Sequence, residues 1–152
     1  MYRPGPVLGS LLFVLAGPAV ELGLGPWALT GLHTGEDLPA AWPLRALGAV
    51  LVVAGLAVLA DAFVRLAREG GGTPSPLAPP RRLVEAGVYR HLRHPMYVAT
   101  TAAIAGEGLI LRQPILIAAA AAYGATLAAL AHWWEEPLLR RRFGTAYDSA
   151  RR

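Results

Sequence analysis

Four apolar stretches constrain the fold of this chain more than any other feature. They run over residues 7–29, 44–66, 95–111 and 114–134. At about 1.5 Å of rise per residue, roughly 20 helical residues cross the ~30 Å hydrocarbon core of a membrane. Hydrophobic residues make up 55% of the chain and charged residues only 16%, which is too apolar for an ordinary soluble domain. The sequence therefore predicts an all-α integral membrane helical bundle with about four transmembrane helices.

The first and third stretches differ from an ordinary span. Arg3 followed by an apolar core and small residues is also the pattern of a signal peptide. We favour a retained helix, because the apolar character continues past Glu21 to Leu29. The third stretch is short, so it would cross with little tilt or with local thinning of the bilayer.

Arginine placement predicts the orientation of the bundle. All basic residues are arginine, and they crowd the connection between the second and third stretches and the C-terminus. The connection between the first and second stretches carries Glu36 and Asp37 instead. The positive-inside rule then places the middle connection and both termini in the cytoplasm, in what we expect to be a prokaryotic cell membrane. The net charge of +4 follows this topology, so we expect no nucleic-acid partner.

We predict one transmembrane domain over residues 1–152. Two N-terminal helices would occupy 1–66, a cytoplasmic loop 67–94, a helical hairpin 95–134, and a cytoplasmic segment 135–152. The Gly- and Pro-rich part of the loop, GGGTPSPLAPP, is either a linker or a mobile flap beside a site. Small residues recur on single helical faces and predict close helix contacts: Gly48, Gly55, Ala102, Gly106, Gly124 and Ala128.

Two segments dense in ionisable and aromatic residues abut the third and fourth stretches. They read LVEAGVYRHLRHPMY (83–97) and HWWEEPLLRRRFGTAY (132–147). Pro95 suits the first position of a helix, where a missing N–H costs nothing. An antiparallel hairpin brings both segments to the same membrane edge. The sequence therefore predicts a polar pocket at the cytoplasmic face, built from Arg93, His94, Tyr97, Glu135 and Glu136.

Several of these residues have simpler structural interpretations. Trp133 and Trp134 are typical of an interfacial aromatic belt, and Arg140 to Arg142 of anchoring to anionic lipid. Asp61 and Arg65, four residues apart, predict a structural ion pair. Glu135 and Glu136 could form a solvated helix end.

Metal chemistry is not expected. The chain has no cysteine, and although His91 and His94 are spaced as ligands can be, no HExxH pattern accompanies them. Glu21 and Glu107 lie within apolar stretches, where a carboxylate is a functional candidate by default. The predicted topology places both towards the far side of the membrane.

The two dense segments together resemble the isoprenylcysteine carboxyl methyltransferases and related phospholipid methyltransferases. That family has a pattern close to LVxxGxYxxxRHPxY, a short helical hairpin, and then EExxLxxxFGxxY. Here the second motif reads EEPLLRRRFGTAY, and the resemblance covers residues 83–147. It implies a membrane enzyme that uses S-adenosylmethionine bound at the cytoplasmic face, with a lipophilic acceptor and membrane lipid as its partners.

The resemblance also implies residue roles. Arg93 and Glu135 are the expected catalytic residues, Arg93 by orienting an anionic acceptor. The expected cofactor-binding residues are Leu83, Val84, Gly87, Tyr89, His94, Pro95, Tyr97 and Glu136. Methyl transfer from a sulfonium is an in-line displacement that depends on alignment and exclusion of water, and it needs no covalent enzyme nucleophile.

Two departures from the family pattern leave the acceptor open, and two other functions stand beside the methyltransferase. The chain stops soon after FGTAY, and His132 stands where prenylcysteine enzymes have an Arg before the acidic pair. Carboxylate, amine, thiol and phenol acceptors therefore all remain possible. Sterol-reductase-like membrane enzymes share an RHPxY-type segment and use NADPH, although the acidic pair disfavours a dinucleotide phosphate there. A non-catalytic membrane scaffold is the third alternative.

Overall fold

The structure is a computed structural model that describes residues 16–35, 41–69, 84 and 86–144. The Gly- and Pro-rich segment, Leu83 and Tyr147 lie outside these residues. The described part is helical and contains no strand. Its α-helices are α1 (Gly25–Thr30), α2 (Trp42–Arg68), α3 (Pro95–Leu111), α4 (Pro114–Leu130) and α5 (Glu136–Phe143). Two π turns, π1 (Val20–Leu24) and π2 (Ala131–Glu135), and a 3-10 turn (Gly87–Arg90) complete the elements.

The largest helix contact joins α2 to α3, and it depends on glycine. A Cβ added at Gly48 would lie 2.5 Å from the carbonyl oxygen of Gly106, and one at Gly106 would lie 2.6 Å from that of Gly48. Lower on the same face, a Cβ at Gly55 would lie 2.7 Å from the carbonyl oxygen of Ala99. Such backbone approach replaces the hydrophobic driving force that is missing between helices in lipid. The predicted close contacts at these three glycines are confirmed.

The hairpin of α3 and α4 turns at Arg112, which adopts a left-handed conformation (φ 54°). Pro114 then begins α4. The connection after α1 packs at this same end, where the Gly35 N–H donates to the Leu111 carbonyl at 2.8 Å and Gln113 Nε2 donates to the His33 carbonyl at 2.9 Å. The bundle therefore has an Arg112 end and, opposite it, a His94 end.

Two helices are long and apolar enough to cross a membrane, Trp42–Leu66 and Pro114–Arg141. Only 22% and 17% of their most apolar windows are buried inside the protein. The core helix of a soluble protein would be mostly buried, so this exposure favours contact with lipid. Pro95–Leu111 is apolar but shorter, as the sequence predicted. Spans in the first and third stretches stay predictions.

Both π turns have the same local cause. The Gly25 N–H donates to the Val20 carbonyl, and the Glu136 N–H donates to the Ala131 carbonyl, each reaching back five residues instead of four. In each case the next residue is a proline, Pro26 or Pro137, which has no N–H and whose ring collides with the carbonyl four residues earlier. The helix relieves this collision by widening for one turn.

Candidate functional site

His94 and Tyr97 form one wall of the site at the start of α3. His94 caps the helix with φ −121° and ψ 64°, and Pro95, whose side chain is fully buried, occupies the first helical position. The next turn brings the Tyr97 ring over the His94 ring, with centroids 5.3 Å apart and planes within 8° of parallel. The local sequence HPxY thus orients an imidazole and a phenol together.

Glu135, in π2, joins this wall to the end of the hairpin. The Tyr97 hydroxyl donates to Glu135 Oε1, and His94 Nδ1 lies 3.1 Å from Glu135 Oε2. Each carboxylate oxygen therefore has its own partner, which fixes the orientation of the group. The predicted proximity of the two dense segments is seen in these contacts.

Glu136 takes a different partner. Arg93 donates from Nη1 to Glu136 Oε1 at 3.2 Å, and His132 Nδ1 lies 3.9 Å from Glu136 Oε2. The two neighbouring acids therefore do not share one role. Glu135 faces the His94–Tyr97 wall, and Glu136 balances the charge of Arg93.

A cavity of about 330 Å³ opens at these residues. This volume lies at the lower end of the ~300–1,000 Å³ range of small-molecule sites. Its polar lining includes Arg93, His94, Tyr97 and Glu135, together with Tyr89, Tyr123 and Glu21. His94 Nε2 is buried, and no described residue forms a hydrogen bond with it. A buried polar atom of this kind is expected to meet a ligand or a water.

A second, apolar groove of about 670 Å³ shares three wall residues with the cavity: Arg93, His94 and Tyr97. It runs between α3 and α4, and small residues of these two helices and of the start of π2 form its floor. These are Ala102, Ala105, Gly124, Ala128 and Ala131. Ala102 and Ala128 thus line a groove, whereas the sequence predicted that they form helix contacts; Ala103 is buried at the α2–α3 contact instead.

The 3-10 turn before α3 is fastened to α2. The Val88 N–H donates to Asp61 Oδ2 at 3.3 Å, and Arg65 Nε donates to both oxygens of Asp61 at 3.0 and 2.8 Å. Gly87 has φ +60°, and a Cβ there would overlap the Arg65 guanidinium. The predicted Asp61–Arg65 pair is confirmed, and it also positions the turn that carries Tyr89.

Tyr89 lies half-buried in the cavity wall, outside the apolar helices. Burial, reinforced by the charge of Asp61, raises the pKa of the Tyr89 phenol from 10.0 to about 12. The side chain is therefore a neutral hydrogen-bond donor and acceptor at physiological pH.

The structure places the predicted site residues in three groups. Arg93, His94, Pro95, Tyr97, Tyr89 and Glu135 line the cavity. Three of the predicted residues do not line the cavity: Glu136, Val84 and Gly87. Glu136 contacts Arg93, and Gly87 contacts Arg65 of α2. Val84 is buried three residues before the 3-10 turn. Leu83 lies outside the described residues.

Glu21 and Tyr123 are cavity residues that sequence reasoning did not assign to the site. Tyr123 donates to Glu21 Oε1 at 2.7 Å, and both line the cavity beside Tyr97. The structure shows that π1 brings Glu21 to the cavity. The side of the membrane towards which Glu21 lies stays a prediction. A carboxylate within an apolar stretch was the signal available for it. Tyr123 had none, since a lone tyrosine in an apolar helix is typical of packing.

No group of three potential metal ligands occurs within the described residues. His91 and His94 therefore have no third ligand there.

Comparison with known proteins identifies the family. The family model for phospholipid methyltransferases matches residues 43–146, more than half of the chain. Searches of curated proteins and of solved structures returned no match. The matched region contains α2 to α5 and every predicted site residue, but it excludes Glu21. The chain therefore belongs to the phospholipid methyltransferase family, whose members are membrane methyltransferases that typically use S-adenosylmethionine.

Proposed function

We propose that the protein transfers a methyl group from S-adenosylmethionine to a lipophilic acceptor, and that the cofactor binds in the cavity at the His94 end. The observation that carries this proposal is the Glu135 carboxylate, held from both sides by His94 and Tyr97 in the wall of a cavity that has both polar and apolar lining residues. Groups that are fixed before a ligand arrives can align it without further cost of ordering.

The residues present fit the cofactor. S-adenosylmethionine carries a sulfonium, an ammonium and ribose hydroxyls, for which the cavity offers carboxylates and phenols. The buried Nε2 of His94 supplies a further hydrogen-bonding atom without a partner among the described residues. When bound, the cofactor would supply an electrophilic methyl group on sulfur.

The protein's own contribution is positioning and exclusion of water. Arg93, balanced by Glu136, would orient the acceptor head by charge-assisted hydrogen bonds. The His94–Tyr97 stack and the buried Pro95 would close the inner wall against solvent. No covalent intermediate on the enzyme is needed.

The apolar groove supports a lipophilic acceptor. Its small-residue floor lies between two helices, and it meets the cavity at Arg93, His94 and Tyr97. An acyl or prenyl chain lying in this groove would bring its head group to the cavity mouth. An isoprenylcysteine-like acceptor and a phospholipid both have this amphiphilic shape.

We also propose that the His94 end faces the cytoplasm, with both termini on that side. The arginine distribution supports this orientation, because cytoplasmic segments of membrane proteins are enriched in Arg and Lys. A soluble cofactor would then enter from the cytoplasm while the acceptor enters from the bilayer. The division into helices 1–66, loop 67–94, hairpin 95–134 and C-terminal segment 135–152 follows the same proposal.

Calorimetry with S-adenosylhomocysteine on protein in nanodiscs tests the proposal. We expect saturable binding that Glu135→Gln weakens by about tenfold or more, because a charge-assisted contact is lost. Glu107→Gln is the matched control: it makes the same change on α3, about 18 Å along the helix from Pro95. The proposal would be refuted if folded wild-type protein bound no S-adenosylhomocysteine, or if NADPH displaced the bound S-adenosylhomocysteine.

A further inference from the structure

A second acid–phenol pair lies in the cavity, and its carboxylate comes from a part of the chain that the family model does not cover. Glu21 of π1 accepts a hydrogen bond from Tyr123 of α4 at 2.7 Å. This pair repeats the construction of Tyr97 and Glu135: in both, a carboxylate in a π turn meets a phenol on a neighbouring helix. The N-terminal apolar stretch thus contributes a carboxylate to the site through π1.

The two pairs differ in depth along the bundle. Tyr123 precedes Glu135 by 12 residues, which corresponds to about 18 Å of helix. It follows Pro114, at the Arg112 end, by nine residues, or about 14 Å. Glu135 therefore marks the outer end of the cavity, and Glu21 with Tyr123 marks its inner end, near the middle of the helices.

The two carboxylates also differ in their hydrogen-bonding partners. Glu135 has two, the Tyr97 hydroxyl on Oε1 and His94 Nδ1 at 3.1 Å from Oε2. Among the described residues, Glu21 has no cationic partner and accepts only the Tyr123 hydroxyl. A carboxylate at this depth is costly unless a positive group or a proton offsets it. A positively charged ligand group beside Glu21 would offset this cost.

We propose that Glu21 and Tyr123 form a cation subsite at the inner end of the cavity, which binds a positively charged group of the methyl-transfer reactants. This inference rests on the proposed function. Such a cation has two sources: an ammonium on the acceptor, or the sulfonium or ammonium of the cofactor. Glu21 supplies the charge, and Tyr123 holds one carboxylate oxygen so that Oε2 faces the ligand.

The test measures binding to wild-type, Glu21→Gln and Tyr123→Phe protein in nanodiscs. The cofactor probes are S-adenosylmethionine, S-adenosylhomocysteine, which has no sulfonium, and methylthioadenosine, which has neither charge. The acceptor probes are a long-chain amine and the alcohol of the same chain length. Glu107→Gln serves as the matched control, since it removes a carboxylate in an apolar helix without touching the cavity.

We expect Glu21→Gln to weaken binding of one cation by about tenfold or more while its neutral counterpart changes less than about twofold. If only S-adenosylmethionine loses affinity, the subsite binds the sulfonium. If both charged nucleosides lose affinity equally and methylthioadenosine does not, the subsite binds the cofactor ammonium. If the amine loses affinity and the alcohol does not, the subsite binds the acceptor ammonium. Tyr123→Phe should act in the same direction with a smaller change.

Two results would overturn the subsite. One is unchanged affinity of Glu21→Gln for every cation, and the other is an equal loss for charged and neutral probes. Failure of the proposed function is a separate result, because wild-type protein would then bind no S-adenosylhomocysteine. The amine and alcohol arm still tests the subsite in that case.

Discussion

The crossing of α2 and α3 at Gly48 and Gly106 gives a stability prediction that follows directly from distances. A methyl group at Gly48 would meet the Gly106 carbonyl oxygen at 2.5 Å and the Ile110 backbone nitrogen at 3.0 Å. Ordinary contact begins at 3.4 Å. The contact at 2.5 Å is about 0.9 Å shorter than ordinary contact. Since backbone atoms cannot rotate away, Gly48→Ala must separate the two helices by nearly this distance at the crossing.

The magnitude follows from what this separation costs. A gap of about 0.5–1 Å forfeits roughly a quarter to a half of the dispersion attraction of each atom pair across it. Overpacking of this kind typically costs about 1–3 kcal/mol, and the higher helix propensity of alanine returns about 0.5–1 kcal/mol. The two terms together span roughly 0–2.5 kcal/mol, and we expect Gly48→Ala to lower the free energy of unfolding by about 1 kcal/mol.

Gly23→Ala is the matched control, because a Cβ at Gly23 meets nothing within 4 Å. It should leave stability unchanged or raise it slightly. Thermal unfolding in one detergent, followed by circular dichroism, compares the two. Each 1 kcal/mol shifts the Tm by roughly 2–4 °C in a domain of this size.

The double variant adds a second check. One separation of the helices accommodates both new methyl groups, so Gly48→Ala with Gly106→Ala should cost less than the sum of the single changes. A Gly48→Ala protein as stable as Gly23→Ala would refute the reasoning. It would mean that the two backbones do not meet at this crossing.

Three further outcomes are expected at the site. Gly87→Ala should weaken S-adenosylhomocysteine binding, because a Cβ there overlaps the Arg65 guanidinium and φ +60° strains any side chain; in Arg65→Ala protein the same change should cost less, since only the backbone strain remains, and equal losses in both backgrounds would contradict the contact. Tyr97→Phe should weaken that binding less than loss of the Glu135 carboxylate does, since His94 still holds Glu135, and equal or larger loss would point to direct contact of the Tyr97 hydroxyl with the ligand. Because the raised pKa of Tyr89 favours its neutral form, its contribution to stability should be complete below pH 10 and lost as the pH rises to about 12. Alkaline unfolding of wild-type and Tyr89→Phe protein at the same pH measures that loss, and identical pH profiles would exclude it.

The sequence predicted the parts of the site that depend on one helical hairpin. His94 and Tyr97 lie at the start of α3 because Pro95 fixes the first helical position, and Glu135 lies across from them because α3 and α4 are antiparallel. Motif order and helix length are enough for that inference. The division of labour between Glu135 and Glu136 needed coordinates, because neighbouring residues on a helix point in different directions.

The contribution of the first helix could not be predicted in the same way. Its depth relative to α4 is set by packing at the Arg112 end, where Gly35 and Gln113 form hydrogen bonds across the connection. Counting residues along the first apolar stretch did not predict that Glu21 contacts Tyr123. The widened turn π1 also shifts which face Glu21 occupies, and periodicity of 3.6 residues does not anticipate that shift.

The prolines that follow the two π turns give the site an unusual sensitivity. Glu21 and Glu135 each owe their direction to a turn whose last hydrogen bond comes from the residue just before Pro26 or Pro137. A change of side chain at Gly23, where a Cβ would meet nothing within 4 Å, leaves that geometry in place. Adding or removing one residue there would rotate the carboxylate by about 100° around the helix, away from the cavity. At these two places the number of residues between carboxylate and proline therefore sets the direction of the carboxylate.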